Sequence, residues 1–498
     1  LDARRDEPGV TTTAAPEADL AHRASRGTLV TVGAQWSRTA LQLVSTVVLA
    51  RLLVPADFGL LAMVLAIVGL ADLVREFGLS GAIVRLRDID DRMWAAIHRF
   101  SLVLGGVAGG LAAASAQPVA ALYGEPRLVG LTLALAPLVL VNSVAMPLQA
   151  SLQRDLRFGT MAVVEVAAAA AGVLAAVVGA LLGAGYWSLV LLPGVTALVR
   201  LELLLVIRRP PLRHPRPWRD LRPVIGTGGS IFGVELLNYA ARNLDNVLVG
   251  RALGPAVLGV YTRAYALLML PISQLNGPLA RVGLPVLSRL RDDEDAYRRY
   301  VRVAMLVVAY AAIPVFAIAA ALAGPLVVVL LGDAWTAAAP IFALLAIAGV
   351  AQALGNVSGW LYVSLGRAHR QLVYFAVTKP LVLLAFVVGL TWNGVEGLAL
   401  LYGLVSCALL VPGFLLAVRG TFVTPSDVFG PVLRPALLAP FGFVASAAVS
   451  AMLPNPVLAL LAGSLAGVAV FALALLIPAY RRDARRIAHV IGRARRPR

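Results

Sequence analysis

Long apolar runs follow one another along the chain from the first thirty residues almost to the end, separated by short polar loops. Apolar stretches of about 18 residues or more predict membrane-spanning helices. Fourteen are read here, near 28–53, 56–76, 97–117, 128–150, 159–182, 186–207, 224–249, 255–277, 301–323, 338–362, 371–390, 395–418, 432–453 and 456–479. The predicted fold class is all-α, a polytopic membrane protein of about 14 transmembrane helices.

Composition agrees with that pattern. Hydrophobic residues make up 60% of the chain and charged residues only 14%, whereas soluble domains average roughly 45–50% and about 25%. The basic residues then give a direction, because Lys and Arg stay preferentially on the cytoplasmic side. With both termini inside, all but six of the 43 basic residues fall in cytoplasmic segments, the six being Arg38, Arg51, Arg127, Arg242, Arg251 and Arg263. One missed span would invert every later loop, so this bias supports the count as well as the orientation. The expected location is the bacterial cytoplasmic membrane.

The net charge of +17 is spread over short loops between spans, which points to anionic membrane lipids as partners and away from nucleic acid. The tail RRDARRIAHVIGRARRPR reads as a juxtamembrane polybasic segment. Residues 1–27 are polar with no apolar h-region, so a cytoplasmic N-terminal tail without a removable signal peptide is expected. Cys407 is the single cysteine, which excludes an intrachain disulfide and a thiolate metal cluster.

The chain also repeats itself. ARLLVPADFGL, from Ala50, aligns with GRALGPAVLGV, from Gly250, so that Arg51, Leu53, Pro55, Ala56 and Gly59 recur as Arg251, Leu253, Pro255, Ala256 and Gly259. Upstream at the same offset, Gly33, Ala40 and Val47 match Gly233, Ala240 and Val247. Six predicted spans separate the copies, an even number, which predicts a parallel repeat. The expected organisation is two pseudo-symmetric six-helix bundles, 28–207 and 224–418, joined by a cytoplasmic linker at 208–223. Two further helices at 419–479 and a basic cytoplasmic tail at 480–498 complete it.

Polar residues inside the spans carry the candidate chemistry. Glu235, Asn238, Arg242 and Asp245 are spaced three or four apart and share a helix face. Gln35, Arg38, Gln42 and Ser45 hold the corresponding positions of the first span. A charged side chain at mid-bilayer costs about 2.5–3.5 kcal/mol on insertion scales, so such residues face a bundle interior or watery cavity. Two stripes facing a common axis would line a central cavity; the bland alternative is that Arg242 and Asp245 satisfy each other within one helix, or that the stripe glues helices together.

Arginine suits a phosphoryl-bearing substrate, since its planar fork matches phosphate oxygens and stays charged. The expected substrate-binding residues are Arg38, Gln42, Asn238, Arg242 and Arg263. Glu235, Asp245 and Glu165 are the expected ion-coupling groups. Asp72 could join the cavity or sit near an interface, and Arg200 and Glu202 are expected at the interface.

Catalytic machinery is missing from the sequence. The single lysine, Lys379, sits in VTKP rather than in a phosphate-binding loop, and the five histidines are dispersed without metal-ligand spacing. No GxSxG elbow occurs. No cofactor, metal or catalytic residue is expected.

Several segments together give a resemblance: ARLLVPADFGLLAM (50–63), FGLSGAIVR (77–85), ALYGEPRL (121–128), LQRDLRF (152–158), GAGYWSLV (183–190) and NLDNVLVGRALGPAVLGVYTRAY (243–265). From about Gly27 to Arg419 the chain resembles the Wzx-type oligosaccharide flippases of the multidrug/oligosaccharidyl-lipid/polysaccharide exporter superfamily. The resemblance implies two six-helix bundles arranged as a V, alternating access, and an undecaprenyl-diphosphate-linked oligosaccharide as cargo. It further implies transport coupled to an ion gradient or the membrane potential, with a polysaccharide polymerase and chain-length regulator as partners. Three alternatives stay open at this point: a peptidoglycan-precursor flippase, a multidrug exporter of the same fold, and a membrane glycosyltransferase or polymerase. Arginines in the stripe disfavour the drug exporter, and short loops poor in acids disfavour the enzyme.

Overall fold

The computed structural model describes the backbone of residues 17–76, 79, 83, 89–208 and 222–494. Side chains are described from Gly33 to 488 within those ranges, apart from 34, 222–231, 233–234, 237–238, 240–242, 278 and 281. In chain order the helices are α1 (Glu17–Leu52), α2 (Pro55–Glu76), α3 (Asp91–Ala114), α4 (Ala116–Tyr123), α5 (Arg127–Arg154), α6 (Phe158–Leu181), α7 (Trp187–Ile207) and α8 (Arg222–Arg289). They continue as α9 (Glu294–Ala321), α10 (Ala323–Leu330), α11 (Ala338–Ser364), α12 (Ala368–Val418), α13 (Pro425–Ala451), α14 (Pro456–Leu473) and α15 (Pro478–Ala494).

Among the described residues eleven helices are long and apolar enough to cross a membrane. The chain is a multi-pass membrane protein. Large apolar side chains such as Leu182, Val206 and Met452 are exposed, as a surface solvated by acyl chains requires. Two of the long elements are folded on themselves. A straight helix of 68 residues would run to about 100 Å, but α8 turns at Gly254, where φ is 80° and ψ −179°, a conformation that glycine adopts at little cost. α12 turns likewise at Asn393 and Gly394. Both turns fall in gaps read from the sequence between successive apolar runs.

By contacts the chain forms two compact units. Unit 1 comprises 1–46, 68–115 and 131–236, and unit 2 comprises 47–67, 116–130 and 237–498. Segments 47–67 and 116–130 of the first sequence half thus pack with the second.

Unit 1 is built on small residues. The buried face of α6 runs Glu165, Ala168, Gly172, Ala176, Gly179, a three-and-four spacing that lets a neighbouring backbone come close. A β-carbon at Gly172 would stand 2.0 Å from Thr196 Oγ1 and 2.5 Å from the Leu192 carbonyl oxygen. One at Gly179 would stand 2.7 Å from Leu191. α6 and α7 are therefore an antiparallel hairpin, closed by positive-φ glycines at Gly183 and Gly185. Leu79, Ile83, Trp94, Ile97, Met146 and Ala150 form a separate apolar cluster in this unit.

Unit 2 has an aromatic core in which Trp335, Tyr261, Tyr297, Tyr362, Phe316, Phe342 and Phe414 are fully buried. Asp427 closes a capping box with Thr424 at the start of α13 and pairs with Arg298, at 2.8 Å, and with Arg302. Asp483 on α15 accepts from Arg434 at 2.7 Å and from the Tyr310 hydroxyl at 3.2 Å. Outside the spans, Arg127 donates to Glu125 at 2.8 and 2.9 Å and holds that carboxyl below its ordinary range.

Candidate functional site

The α6–α7 hairpin decides which charged residues meet in unit 1. With Gly172 on Thr196 and Gly179 on Leu191, the antiparallel register places Arg200 opposite Glu165. Arg200 Nε lies 3.2 Å from Glu165 Oε1, and Nη2 donates to Oε2 at 3.4 Å. Arg38 of α1 reaches the same carboxylate, Nη1 to Oε2 at 3.3 Å. Gln149 of α5 donates from Nε2 to Oε1 at 3.1 Å. Four helices converge on one carboxylate.

Exposure is graded across this cluster. The Glu165 side chain is 10% exposed, Arg200 23% and Arg38 47%. Two cations share one anion, so the cluster keeps an excess positive charge within membrane spans. A charge left uncompensated in hydrocarbon costs up to about 2.5–3.5 kcal/mol at mid-bilayer and less toward the surface; it is tolerable where water or an anion reaches it. Of the expected stripe on α1, Gln35, Arg38 and Gln42 are exposed, while Ser45 is buried.

In unit 2 the Gly254 turn folds α8 back on itself and creates a second polar site. Tyr261, wholly buried, donates its hydroxyl to Asp245 Oδ2 at 2.7 Å, and the Asn246 backbone N–H donates to Oδ1 at 2.8 Å. Asp245 itself is buried. The Tyr261 ring stands 6.1 Å from that of Tyr265, and Tyr265 is hydrogen-bonded to Tyr402, whose hydroxyl accepts from Gln352 at 3.0 Å. Arg263 lies with its guanidinium 4.7 Å from the centre of the Phe58 ring, a cation–π contact. Its buried Nε makes no hydrogen bond.

The sequence-predicted residues are therefore distributed over two sites. Arg38 and Glu165 come together in unit 1, and Asp245 and Arg263 lie in unit 2. Asn238 and Arg242 are on α8, but their side chains fall outside the described residues. Glu235 is half-buried on the same helix. Asp72 accepts from Arg75 Nε at 3.0 Å within α2. Arg200, expected at the membrane interface, pairs with Glu165, because the small-residue face of α6 lets α7 come close. Glu202 is exposed beside a shallow apolar cleft lined by Leu198, Leu201, Leu205 and Val206. Arg200, Gln149, Tyr261 and Tyr402 were not among the predicted site residues. For Arg200 a signal existed: it and Glu165 are nearly equidistant from the glycine turn at Gly183.

Comparison with known proteins gives the lineage. The family described as "Polysaccharide biosynthesis protein" matches residues 48–340. The chain is 27% identical over 384 residues to the lipopolysaccharide biosynthesis protein WzxC of Escherichia coli (strain K12), covering 74% of this chain and 76% of that one. It is 29% identical over 318 residues to the succinoglycan biosynthesis transport protein ExoT of Rhizobium meliloti (strain 1021), 62% of each chain. Among solved structures, the lipid II flippase MurJ in an inward closed conformation superposes with a TM-score of 0.73 at 12% identity, over 90% of this chain and 99% of that one. At that identity the likeness is one of fold.

Proposed function

Because the chain belongs to the polysaccharide biosynthesis protein family, we propose that it is a flippase for an oligosaccharide linked to undecaprenyl diphosphate. It carries the head group from the cytoplasmic to the outer leaflet of the bacterial cytoplasmic membrane by alternating access. The observation that supports this reading best is the unit 1 cluster, in which two guanidinium groups share one carboxylate inside the spans and Arg38 remains half-exposed. A diphosphate supplies the missing negative charge, and arginine receives it bidentately. Moving such a head group unaided across about 30 Å of hydrocarbon would carry a large desolvation cost.

In this reading Arg38, Gln42, Asn238, Arg242 and Arg263 bind the head group. Asp245 and Glu235 serve ion coupling, Asp245 because it is buried and its described partners are neutral donors. Both termini are cytoplasmic, as the basic residues favour, and 28–207 and 224–418 are the two halves of the transport cycle. Anionic lipids contact the basic loops, and a polymerase and a chain-length regulator act on the product.

The test is translocation of a labelled polyprenyl-diphosphate oligosaccharide in vesicles holding the purified chain. The wild type moves label to the opposite leaflet, and Arg38→Ala slows it by about tenfold or more, the worth of one charge-assisted contact, while still inserting in the membrane. No movement by the wild type overturns the reading. In cells, depletion should leave viable bacteria without their surface polymer; lysis would indicate a wall precursor instead.

A further inference from the structure

The reading above assigns neither Arg200 nor Glu165 to the head group or to ion coupling, yet Arg38 cannot be separated from them. Arg200 is held in place by helix packing: its position opposite Glu165 follows from Gly172 and Gly179, whose missing β-carbons allow α6 and α7 to close. Among the described residues Arg38 is held only at its tip. It meets Glu165 through Nη1, and a guanidinium carries five N–H donors, so most of its donors remain for another acceptor. Arg200 is also incompletely satisfied, since its buried Nε lies within ion-pair distance of Glu165 without an aligned hydrogen bond.

The carboxylate itself is poorly suited to a coupling ion. Both of its oxygens already carry donors, two of them cationic, so a proton or metal ion would have to approach against two guanidinium groups. The same arrangement is well suited to exchange of anions. A phosphoryl group and a carboxylate compete for the same forked donors, and the one bearing more charge and more oxygens wins.

We propose that Arg38 and Arg200 form a two-arginine seat for phosphoryl oxygens, and that Glu165, braced by Gln149, is its positioning residue. Glu165 holds both guanidinium groups until the ligand arrives, and takes them back when it leaves. Glu165 lies seven residues from the first residue of α6 and Arg200 seven from the last of α7, each about 10 Å along the helix. By the charge rule these are the cytoplasmic ends, so the seat lies where a head group arriving from the cytoplasm first enters the spans. This rests on the flippase reading for the identity of the ligand. The chemistry alone would also admit the headgroup of an anionic phospholipid.

The experiment measures binding to the full chain in nanodiscs, with undecaprenyl diphosphate and with phosphatidylglycerol as separate probes, and then translocation in vesicles. Arg200→Ala and Arg38→Ala should each weaken undecaprenyl diphosphate binding about tenfold or more and leave phosphatidylglycerol binding nearly unchanged. Arg200→Lys, which keeps the charge and loses the fork, should fall between and serves if Arg200→Ala does not fold. Glu165→Gln should bind undecaprenyl diphosphate as tightly as the wild type or tighter, because the competing anion is gone, yet translocate it more slowly because release is no longer assisted. A purely structural Glu165 would weaken both, and an ion-coupling Glu165 would abolish the gradient dependence of transport with binding unchanged; either result overturns the proposal. So does unaltered diphosphate binding in Arg200→Ala, or equal loss of both probes. If the wild type neither binds nor moves the diphosphate, the flippase reading fails; if it does both and the Arg200 variants match it, only the seat fails.

Discussion

Gly59 packs directly on the carbonyl of Pro255, and Gly259 packs on the carbonyl of Pro55. A β-carbon at the first glycine would stand 1.7 Å from the Pro255 oxygen, and one at the second 1.8 Å from the Pro55 oxygen. These four residues are the equivalent positions of the two repeated motifs, so the copies meet through the same contact taken twice. All four lie within unit 2. The contact accounts for the inclusion of 47–67 in that unit, and it explains physically why the repeat retains glycine there: any side chain would drive backbone into backbone.

Replacing either glycine by alanine should therefore force the two motifs apart. Overpacking of this kind costs about 1–3 kcal/mol, read as a lower melting temperature of the purified chain in detergent. Because one separation relieves both clashes, the double variant Gly59→Ala/Gly259→Ala should be little less stable than either single one. Full additivity in that cycle would mean that the two contacts yield independently.

Next to this contact, Trp335 is wholly buried and donates its indole N–H to the Ala50 carbonyl at 2.7 Å. Its ring meets Phe58 edge-on at 5.2 Å, and Arg51 donates to the Val329 carbonyl at 2.6 Å. Trp335→Phe should cost about 1 kcal/mol through the lost hydrogen bond, whereas Trp335→Ala should cost about 3–5 kcal/mol by opening a cavity. Thermal unfolding measures both. Equal losses would show that the hydrogen bond, not the packing, anchors the end of α1.

Spans, repeat and charge asymmetry are legible in the sequence because each is a property of single residues summed over a window. Contacts are less so. The motif pairs could be aligned at an offset of 200 residues, but nothing in the alignment says that the copies touch. The sequence pairs Asp245 only with neighbours on its own helix face, such as Arg242, and gives no sign of Tyr261, which donates to it because the chain reverses at Gly254 and brings 245 and 261 level. The position of Arg200 near the end of an apolar run is legible in the sequence; its pairing with Glu165 is not, because it depends on the small residues of another helix. Arg38 reaches Glu165 from a distance in sequence that no local pattern encodes. Hydropathy thus gives the elements, and the partner of each buried charge depends on how neighbouring helices register.

α15 presents Arg481, Arg482, Arg485 and Arg486 on its exposed side and buries Asp483 on the other. That single acid accepts from Arg434 and from Tyr310, on α13 and α9, so it ties the tail helix to two spans at once. A buried carboxylate is stable there only while its donors stay, and its removal leaves Arg434 without its acceptor. Asp483→Ala should therefore release α15 while the spans remain folded. Trypsin added to the purified chain in detergent should then cut between Arg481 and Arg486 several times faster than in the wild type. Asp483→Asn, which keeps acceptors but loses the charge, should give an intermediate rate. Unchanged cleavage in both variants would show that the apolar side of the helix, around Ile487, is sufficient to hold it.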